Sequence, residues 1–425
     1  MGKTIKRKSM LYKTRVDYDV DSDGKPINDY AMNHVLGCVH GCKYPCYAME
    51  SALRFKTVES YKDWCEPKLV DNTLELLERE LSPRLKHEVD GSGPYAIHKW
   101  IATLEIRGLS DKHRETFKRI AALHMPAGFV VDLENPLSCE NGVLRARAWF
   151  ESYEGSGYCK HSDARRYLAL QVKRLKSLTK HICTVNALGY KEPVNRVHLC
   201  FTTDPFPYFD NDIVQEMAFS GFGEDVPAQC EIQDMTMAAA ELINENGIPV
   251  TVLTKGVLPQ PVFDLDGPLC LERPGYSKTW DMLHPDNYYG ISLVSLSEGF
   301  REKWEPYTAP YQKRIASLNG LHESGFKTWV SMEPFPAITA RGCARLYGET
   351  ETANLDAPHS SMSMLIACLE AVSFVDRIVF GRWNYNANMP TDVADVDGWY
   401  REASRVVKRF CEERGIECII KKGTG

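Results

Sequence analysis

Short apolar runs alternate with amphipathic helical patterns through the C-terminal half of this 425-residue chain. A strand, helix, strand repeat of this kind produces a parallel sheet with right-handed crossovers. We therefore predict an α/β protein, built either as a barrel or as an open doubly wound sheet. The predicted strands are Arg196–Thr202, Pro249–Thr254, Tyr289–Val294, Lys327–Met332, Arg377–Gly381 and Glu417–Ile420, and the predicted helices are Ile232–Asn246, Pro310–Ser324, Met362–Ser373 and Val396–Arg414.

The composition is that of a globular protein, with 44% hydrophobic and 25% charged residues, and it excludes a disordered or collagen-like chain. No apolar run approaches the roughly 20 residues that a membrane span needs, and we expect neither a signal peptide nor a lipid anchor. Fourteen cysteines without a secretion signal favour a reducing compartment, where thiols are free or bind metal. A cytoplasmic location is the expectation.

The regular alternation of predicted strands and helices stops between Leu85 and Asn195, where turn clusters and helical patches occur without matching strands. We interpret this stretch as an insertion. The predicted organisation is a basic N-terminal extension over 1–30, the start of the α/β unit over 31–87, an inserted mixed or α-rich subdomain over 88–195, and the remainder of the α/β unit over 196–425.

The formal net charge is −6, so the molecule as a whole is not a basic nucleic-acid binder. Basic residues are nevertheless concentrated at the N-terminus and between Lys160 and Lys180. The second segment predicts an amphipathic helix whose apolar face packs on the protein and whose basic face is either simply solvated or contacts phosphates. The candidate phosphate contacts are Arg165, Arg166, Lys173 and Arg174.

Polar residues follow the ends of five predicted strands. In barrels and in open α/β sheets, ligands bind at the carboxyl ends of the parallel strands, so we expect a site at this edge. The loops concerned are Thr202–Pro205, Thr254–Gly256, Ser295–Ser297, Glu333–Phe335 and Gly381–Asn384.

The segment Asn33–Glu50 contains three cysteines, Cys38, Cys42 and Cys46, at intervals of four residues in a glycine-containing loop. Three thiolates on one short loop can hold three corners of an iron-sulfur cube and leave the fourth iron open. They can also supply most of a tetrahedral zinc site, for which His34 or His40 would be the fourth ligand. The spacing alone does not choose between these two metals.

This loop resembles the cluster loop of the radical SAM superfamily, in the branch that contains spore photoproduct lyase. The similarity continues through RVHLCFTTDP at Arg196, PVTVLTK at Pro249, YGISLVS at Tyr289 and WEPYTAPYQKR at Trp304, and it covers most of Asn33–Asn386 outside the insertion. The family pattern has two residues between the second and third cysteines, whereas this chain has three, one of which is Pro45. The resulting spacing CxxxCxxxC resembles that of a three-cysteine-motif subgroup.

The resemblance implies a partial (β/α)6 radical SAM barrel that carries the inserted subdomain. It implies a 4Fe-4S cluster on Cys38, Cys42 and Cys46 whose open iron binds S-adenosylmethionine, together with an electron donor such as flavodoxin or ferredoxin. A 5′-deoxyadenosyl radical would then abstract hydrogen from the substrate. The positions matched to S-adenosylmethionine contacts are Thr203, Lys255, Ser292 and Glu333, with Asp204 and Arg314 close by and Tyr44 and Tyr47 flanking the last cysteine.

The substrate implied by this branch is a nucleobase in DNA or RNA, or a nucleotide derivative. The lyase's hydrogen-donating cysteine aligns with Phe201, whereas Cys200 is one residue away and should face the other side of its strand. Repair of a thymine photoproduct by that route is therefore not expected. Two alternatives are a radical SAM enzyme acting on a peptide or small metabolite, and a zinc-stabilised nucleic-acid-binding protein without redox chemistry.

Overall fold

A computed structural model describes residues 4–14, 28–43, 46–81, 86–90, 96–126, 128–140, 142–153, 161–187, 194–209, 228–263, 269–272, 279–280, 284–338, 361–382, 393–421 and 423–424. The chain forms two compact units. The first consists of Met1–Leu74, Arg196–Asn244 and Pro249–Gly425, and the second consists of Glu75–Asn195 with Glu245–Ile248.

The elements are numbered in chain order. The strands are β1 (Thr4–Ile5), β2 (Tyr12–Lys13), β3 (Tyr30–Met32), β4 (Val35–Leu36), β5 (Lys68–Val70), β6 (Lys86–Asp90), β7 (Ile97–Arg107), β8 (Val130–Asp132), β9 (Ser138–Glu140), β10 (Val143–Tyr153), β11 (Thr184–Ala187), β12 (Val197–Leu199), β13 (Val250–Thr254), β14 (Gln260–Phe263), β15 (Leu269–Glu272), β16 (Thr279–Trp280), β17 (Tyr288–Ser292), β18 (Lys327–Phe335), β19 (Arg377–Arg382) and β20 (Glu417–Ile420). The helices are α1 (Tyr47–Arg54), α2 (Tyr61–Cys65), α3 (Thr73–Leu81), α4 (Asp111–His124), α5 (His161–Thr179), α6 (Ala228–Glu245), α7 (Glu298–Trp304), α8 (Tyr311–Glu323), α9 (Ser361–Ala371) and α10 (Val396–Arg414).

The first unit is built around an eight-stranded sheet in the order β2-β3-β12-β13-β17-β18-β19-β20. From β3 to β20 every neighbouring pair is parallel, and β2 runs antiparallel at one edge. The parallel strands follow one another in sequence order, whereas a doubly wound sheet reverses its order at a switch point. The doubly wound alternative is therefore excluded. Among the described residues no pairing joins the two ends of the sheet, so these pairings do not make a closed barrel.

The predicted strands and helices of this unit are confirmed. Each of the six predicted apolar runs forms one parallel strand of this sheet, namely β12, β13, β17, β18, β19 or β20. Such strands are buried on both faces, so their sequences are almost continuously apolar and easy to recognise. The four predicted helices correspond to α6, α8, α9 and α10, of which α10 matches its predicted bounds and ends on Gly415 in the left-handed region (φ 68°). No helix among the described residues combines the length and the apolar character needed to cross a membrane.

The second unit contains strands β6–β11, although the sequence analysis expected no regular strands in the insertion. Its centre is the antiparallel pair of β7 and β10, each eleven residues long, in a six-stranded sheet. Helices α4 and α5 pack on one face of this sheet through Phe117, Leu168 and Leu175, all fully buried. The unit is thus mixed α/β with a large sheet, and it is not α-rich.

Helix α5 confirms the amphipathic pattern predicted for the basic segment. Leu168, Val172 and Leu175 are buried, while Lys173 and Arg174 are exposed. The side chains of Arg165 and Arg166 lie outside the described residues.

The core of the second unit can be tested on α4. We expect Phe117→Ala to lower the free energy of unfolding of this unit by about 3–5 kcal/mol, because a fully buried ring leaves a cavity. The matched control on the same helix is Leu123→Ala, which removes a side chain that is 70% exposed and should change the value by less than about 0.5 kcal/mol. Urea denaturation followed by circular dichroism measures both, and equal effects would contradict this packing.

Candidate functional site

The backbone of the cysteine loop is fixed at Cys38 and at the residue before Cys42. The Cys38 N–H donates to the carbonyl oxygen of Trp64 at 2.8 Å, and the hydroxyl of Tyr61 donates to the carbonyl of Gly41 at 2.5 Å. Gly37 has φ 96°, and a Cβ there would lie 2.5 Å from the Trp64 carbonyl oxygen, so only glycine fits. The loop is therefore held in place by the segment that contains α2.

The thiols of Cys38, Cys42 and Cys46 are partly buried and close enough to influence one another's ionisation. Burial raises the pKa of the Cys42 thiol to about 12, against the nearby Lys255 cation, which lowers it. Burial, with the negative charges of Asp204 and Cys42, also raises the pKa of Cys38. Such thiols keep their protons at neutral pH unless a metal displaces them, as expected for ligands that bind metal and release protons together.

Three neighbouring thiols on one loop are a donor set that fits an iron-sulfur cube. Among the described residues, no three His, Cys, Asp or Glu side chains converge on a position that would hold one metal ion. A cube takes one thiolate per iron, so its ligands stand farther apart than the four ligands of a zinc ion.

Both histidines that a zinc site would need already have other partners. His40 is buried, its Nε2 accepts the Tyr208 N–H at 3.1 Å, and its Nδ1 lies 3.3 Å from Asp204 Oδ2. Burial lowers the pKa of His40 to about 4, although the Asp204 charge raises it, so the ring is neutral and bridges these two groups. His34 lies 2.8 Å from the Thr236 hydroxyl, and burial lowers its pKa to about 3.

Asp204 joins three segments through one buried carboxylate. Its Oδ1 accepts the Thr254 hydroxyl at 2.6 Å and the Phe206 N–H at 2.9 Å. Its Oδ2 accepts the Lys255 N–H at 2.8 Å and faces Nδ1 of His40. The loop after β12, the end of β13 and the cysteine loop are thereby tied together.

A buried chain of charges leads away from Cys42. The ammonium of Lys255 lies 3.9 Å from Cys42 Sγ and 2.6 Å from Glu305 Oε1, and Glu305 Oε2 lies 3.0 Å from Arg314 Nη2. Burial would raise the pKa of Glu305, but Lys255 and Arg314 hold it at about 2. Burial likewise opposes the charge of Lys255, yet Cys42 and Glu305 raise its pKa overall. This triad carries one net positive charge beside the cysteine loop.

Arg314 is enclosed by protein. It is fully buried, and its remaining hydrogen bonds go to the carbonyl oxygens of Ser292 at 3.0 Å and Ala309 at 2.8 Å, and to the Thr308 hydroxyl at 2.5 Å. Together with the ion pair to Glu305, these bonds use four of the five N–H donors of the planar guanidinium. The structure thus gives Arg314 the geometry of a residue that positions Glu305 and the end of β17.

The other predicted contacts are spread along the carboxyl ends of the strands. Ser292 ends β17 and is buried, while the Thr203 N–H donates to the Cys200 carbonyl at 3.1 Å. Glu333, on β18, forms an ion pair of 3.8 Å with Lys421. Tyr47 begins α1 with its side chain exposed, and Tyr44 lies outside the described residues.

Cys200 and Phe201 lie on opposite sides of the chain, as predicted. Cys200 is buried in a cluster with Val35 and Ile232, and its thiol lies 3.5 Å from the His34 ring, whereas Phe201 is exposed. Burial raises the pKa of the Cys200 thiol to about 12, although the nearby Thr203 side chain lowers it.

Four residues of this region have roles that the sequence did not indicate: His40 as a bridging group, Thr254 as a donor to Asp204, Glu305 as the partner of Lys255, and Cys65. Glu305 stands in the Glu-Pro pair at Trp304, so the motif was visible but its ion pairs were not. Cys65 resembled an isolated cysteine, yet it packs in the same hydrophobic group as Cys38 and Cys46. Its place could be found only from the fold.

No protein-family model matches the chain, and a comparison with curated proteins gives no match. Among solved structures, the chain is similar to spore photoproduct lyase complexed with dinucleoside spore photoproduct, with 10% identity, a TM-score of 0.40 and coverage of 94% of this chain and 78% of that one. It is also similar to Streptococcus suis SuiB bound to S-adenosylmethionine, with 12% identity and a TM-score of 0.28 over 53% of this chain. That match spans only 38% of the SuiB chain. At these TM-scores neither likeness carries an argument about the chemistry of this chain.

The role of Asp204 can be tested without any cofactor. We expect Asp204→Asn to lower the free energy of unfolding by roughly 2–4 kcal/mol, because the amide group faces donors and leaves buried N–H groups without an acceptor. Thr254→Val removes one of the four donors and should cost about 1 kcal/mol. Urea denaturation of the metal-free protein compares the two, and an Asp204→Asn variant as stable as the wild type would contradict the role assigned to this carboxylate.

Proposed function

We propose that the chain is a radical SAM enzyme whose cluster ligands are Cys38, Cys42 and Cys46. The observation that carries the proposal is the trio of neighbouring thiols beside the partly buried cation of Lys255, on a loop that follows the first parallel strand, β3. When bound, a four-iron cluster supplies the electron that cleaves S-adenosylmethionine into methionine and a 5′-deoxyadenosyl radical, which abstracts hydrogen from the substrate. The sequence resemblance to the superfamily supports the same assignment.

The residues of the chain would divide the work between holding the loop and placing the ligand. Asp204 and His40 fix the cysteine loop against the ends of β12 and β13. Lys255 offsets the negative charge of the bound thiolates, and Glu305 and Arg314 keep Lys255 in position. Arg314 is, on this account, a positioning residue, since its hydrogen bonds are made to the protein.

The ligand would lie across the carboxyl ends of the parallel strands. Thr203, Ser292 and Glu333 each stand at or near the end of a different strand, where α/β proteins bind ligands. The six strands β3, β12, β13, β17, β18 and β19 would form the partial (β/α)6 barrel, because their order in the sheet is their order in the chain. Tyr47, and Tyr44 by its position in the motif, would flank the ligand near the last cysteine.

The proposed substrate is a nucleobase in a polynucleotide or a nucleotide derivative. The exposed Lys173 and Arg174 of α5 support a polyanionic substrate. A peptide or small metabolite is the alternative. We place the enzyme in the cytoplasm with a small electron-transfer protein such as flavodoxin or ferredoxin as donor, since an oxygen-sensitive cluster and fourteen cysteines suit a reducing compartment.

The cluster assignment predicts a difference between two cysteines of the same neighbourhood. After anaerobic reconstitution, the wild type should bind about four irons per chain and release 5′-deoxyadenosine from S-adenosylmethionine when dithionite is added. Cys42→Ser should lose most of the iron and all of this product, because one corner of the cube loses its thiolate. Cys65→Ser is the matched control, since Cys65 lies beside the loop but outside the motif, and it should retain both.

Iron analysis, visible absorption and chromatography of the nucleoside measure these outcomes. Loss of the cluster in Cys65→Ser would mean that a fourth protein thiolate closes the site, and a single bound zinc in the wild type would mean that the site is structural. Either result would contradict the proposal.

A further inference from the structure

The second unit has the topology of a split βαβ plait. Its chain order is β7, α4, β8, β10, α5, β11, and its principal strands lie in the sheet order β11-β7-β10-β8, all antiparallel. Each helix therefore connects two strands that have one other strand between them. Both helices lie on one face, which leaves the other face of the sheet without a helix of this unit.

The register of the two central strands defines that outer face. Even-numbered residues such as Leu104, Ile106 and Ala148 are buried beneath the helices. Because side chains alternate along a strand, the odd-numbered residues point to the other side. The directly opposed pairs there are Glu105 with Arg145, Thr103 with Arg147 and Ile101 with Trp149.

One end of the outer face presents a pair of fixed guanidinium groups. Glu105 is 1% exposed, and its two oxygens hold Arg107 at 2.6 Å and Arg145 at 3.6 Å. The two arginine side chains are 44% and 46% exposed, so each keeps N–H donors toward solvent. One buried carboxylate thus orients two guanidinium cations, and the three groups together carry one net positive charge.

The middle of the outer face adds a third arginine and an aromatic ring. Arg147 is 48% exposed and lies 3.5 Å from Asp132 on β8. One row further along, Trp149 is partly exposed, with the Lys99 ammonium 4.6 Å from its ring centroid. The carboxylates Glu151, Glu88 and Asp90 belong to the opposite end, so the positive half of the face runs from Trp149 to Arg107.

The charge of the segment that carries this sheet differs from that of the whole chain. Residues 75–195 contain 19 lysines and arginines against 15 aspartates and glutamates, whereas the full chain has a formal net charge of −6. This asymmetry concentrates positive charge in the second unit and favours a polyanionic partner there.

We propose that single-stranded nucleic acid binds across the positive half of this outer face, with a base stacked on Trp149 and phosphates on Arg107, Arg145 and Arg147. Aromatic rings and arginines on the open face of a four-stranded sheet are a general solution for binding unpaired bases. The inference goes beyond the radical chemistry, because it needs neither the cysteine loop nor a cofactor. It also adds a contact on the sheet to the one proposed above for the basic face of α5.

The test is fluorescence anisotropy of the full chain with labelled twelve-nucleotide oligouridine and oligothymidine, each titrated at two salt concentrations. The two arms distinguish RNA from DNA as the preferred strand. Affinity should fall as salt increases, because phosphate contacts release counterions. An unlabelled acidic peptide of the same length serves as competitor and should displace the oligonucleotide poorly.

Three variants locate the site. Trp149→Ala should weaken binding about 5- to 100-fold, while Trp149→Phe, which keeps a ring, should stay within about threefold of the wild type. Arg147→Gln should reduce the slope of affinity against salt by about 0.7, the value for one phosphate contact on a single strand. The double substitution Lys112→Gln with Arg119→Gln removes two exposed charges from α4, on the helix-covered side of the sheet, and should leave binding within about twofold.

Thermal unfolding of each variant separates loss of binding from loss of structure, and Arg147→Gln supplies an independent readout should Trp149→Ala unfold. The proposal is overturned by a wild type that binds neither oligonucleotide, by Trp149→Ala and Arg147→Gln variants that bind normally, or by loss confined to the α4 variant. Equal competition by the acidic peptide would also overturn it, since the face would then recognise charge without stacking a base. None of these outcomes depends on iron or S-adenosylmethionine, so they are separate from a failure of the proposed enzyme activity.

Discussion

The arrangement of the first unit's site depends on one buried carboxylate. Asp204 accepts hydrogen bonds from the hydroxyl of Thr254 and from two backbone N–H groups, and it faces the neutral ring of His40. A buried charge is stable only when its hydrogen-bonding capacity is met, so these donors and the carboxylate require one another. Because they come from three separate segments, the position of the cysteine loop follows from the ends of β12 and β13.

The sequence predicted the parallel sheet well and the antiparallel sheet poorly, for the same physical reason. Strands such as β13 and β19 are buried on both faces, so their sequences are continuous apolar runs that stand out. In β10 the buried positions include Ala146 and Ala148, which carry little apolar signal, while arginines occupy the outer positions between them. The alternation was present but weak, and the insertion resembled turns and helices.

Some residues of the candidate site could likewise be predicted from the sequence, and others could not. Cys38, Cys42 and Cys46 are adjacent in the chain, so their spacing alone indicates a metal-binding loop. Glu305 and His40 acquire their roles only when distant segments pack, and a single sequence contains no signal for such contacts. Arg314 shows the limit of transferring positions from a resemblance, because the structure surrounds its guanidinium with protein acceptors.

If three thiolates hold a four-iron cluster, as proposed above, one iron remains open to S-adenosylmethionine. Mössbauer spectroscopy of the anaerobically reconstituted protein, enriched in iron-57, tests this directly because it distinguishes irons with different ligands. One iron in four should differ from the other three and should change its signal when S-adenosylmethionine is added. Four equivalent irons with a spectrum that does not respond to S-adenosylmethionine would contradict it.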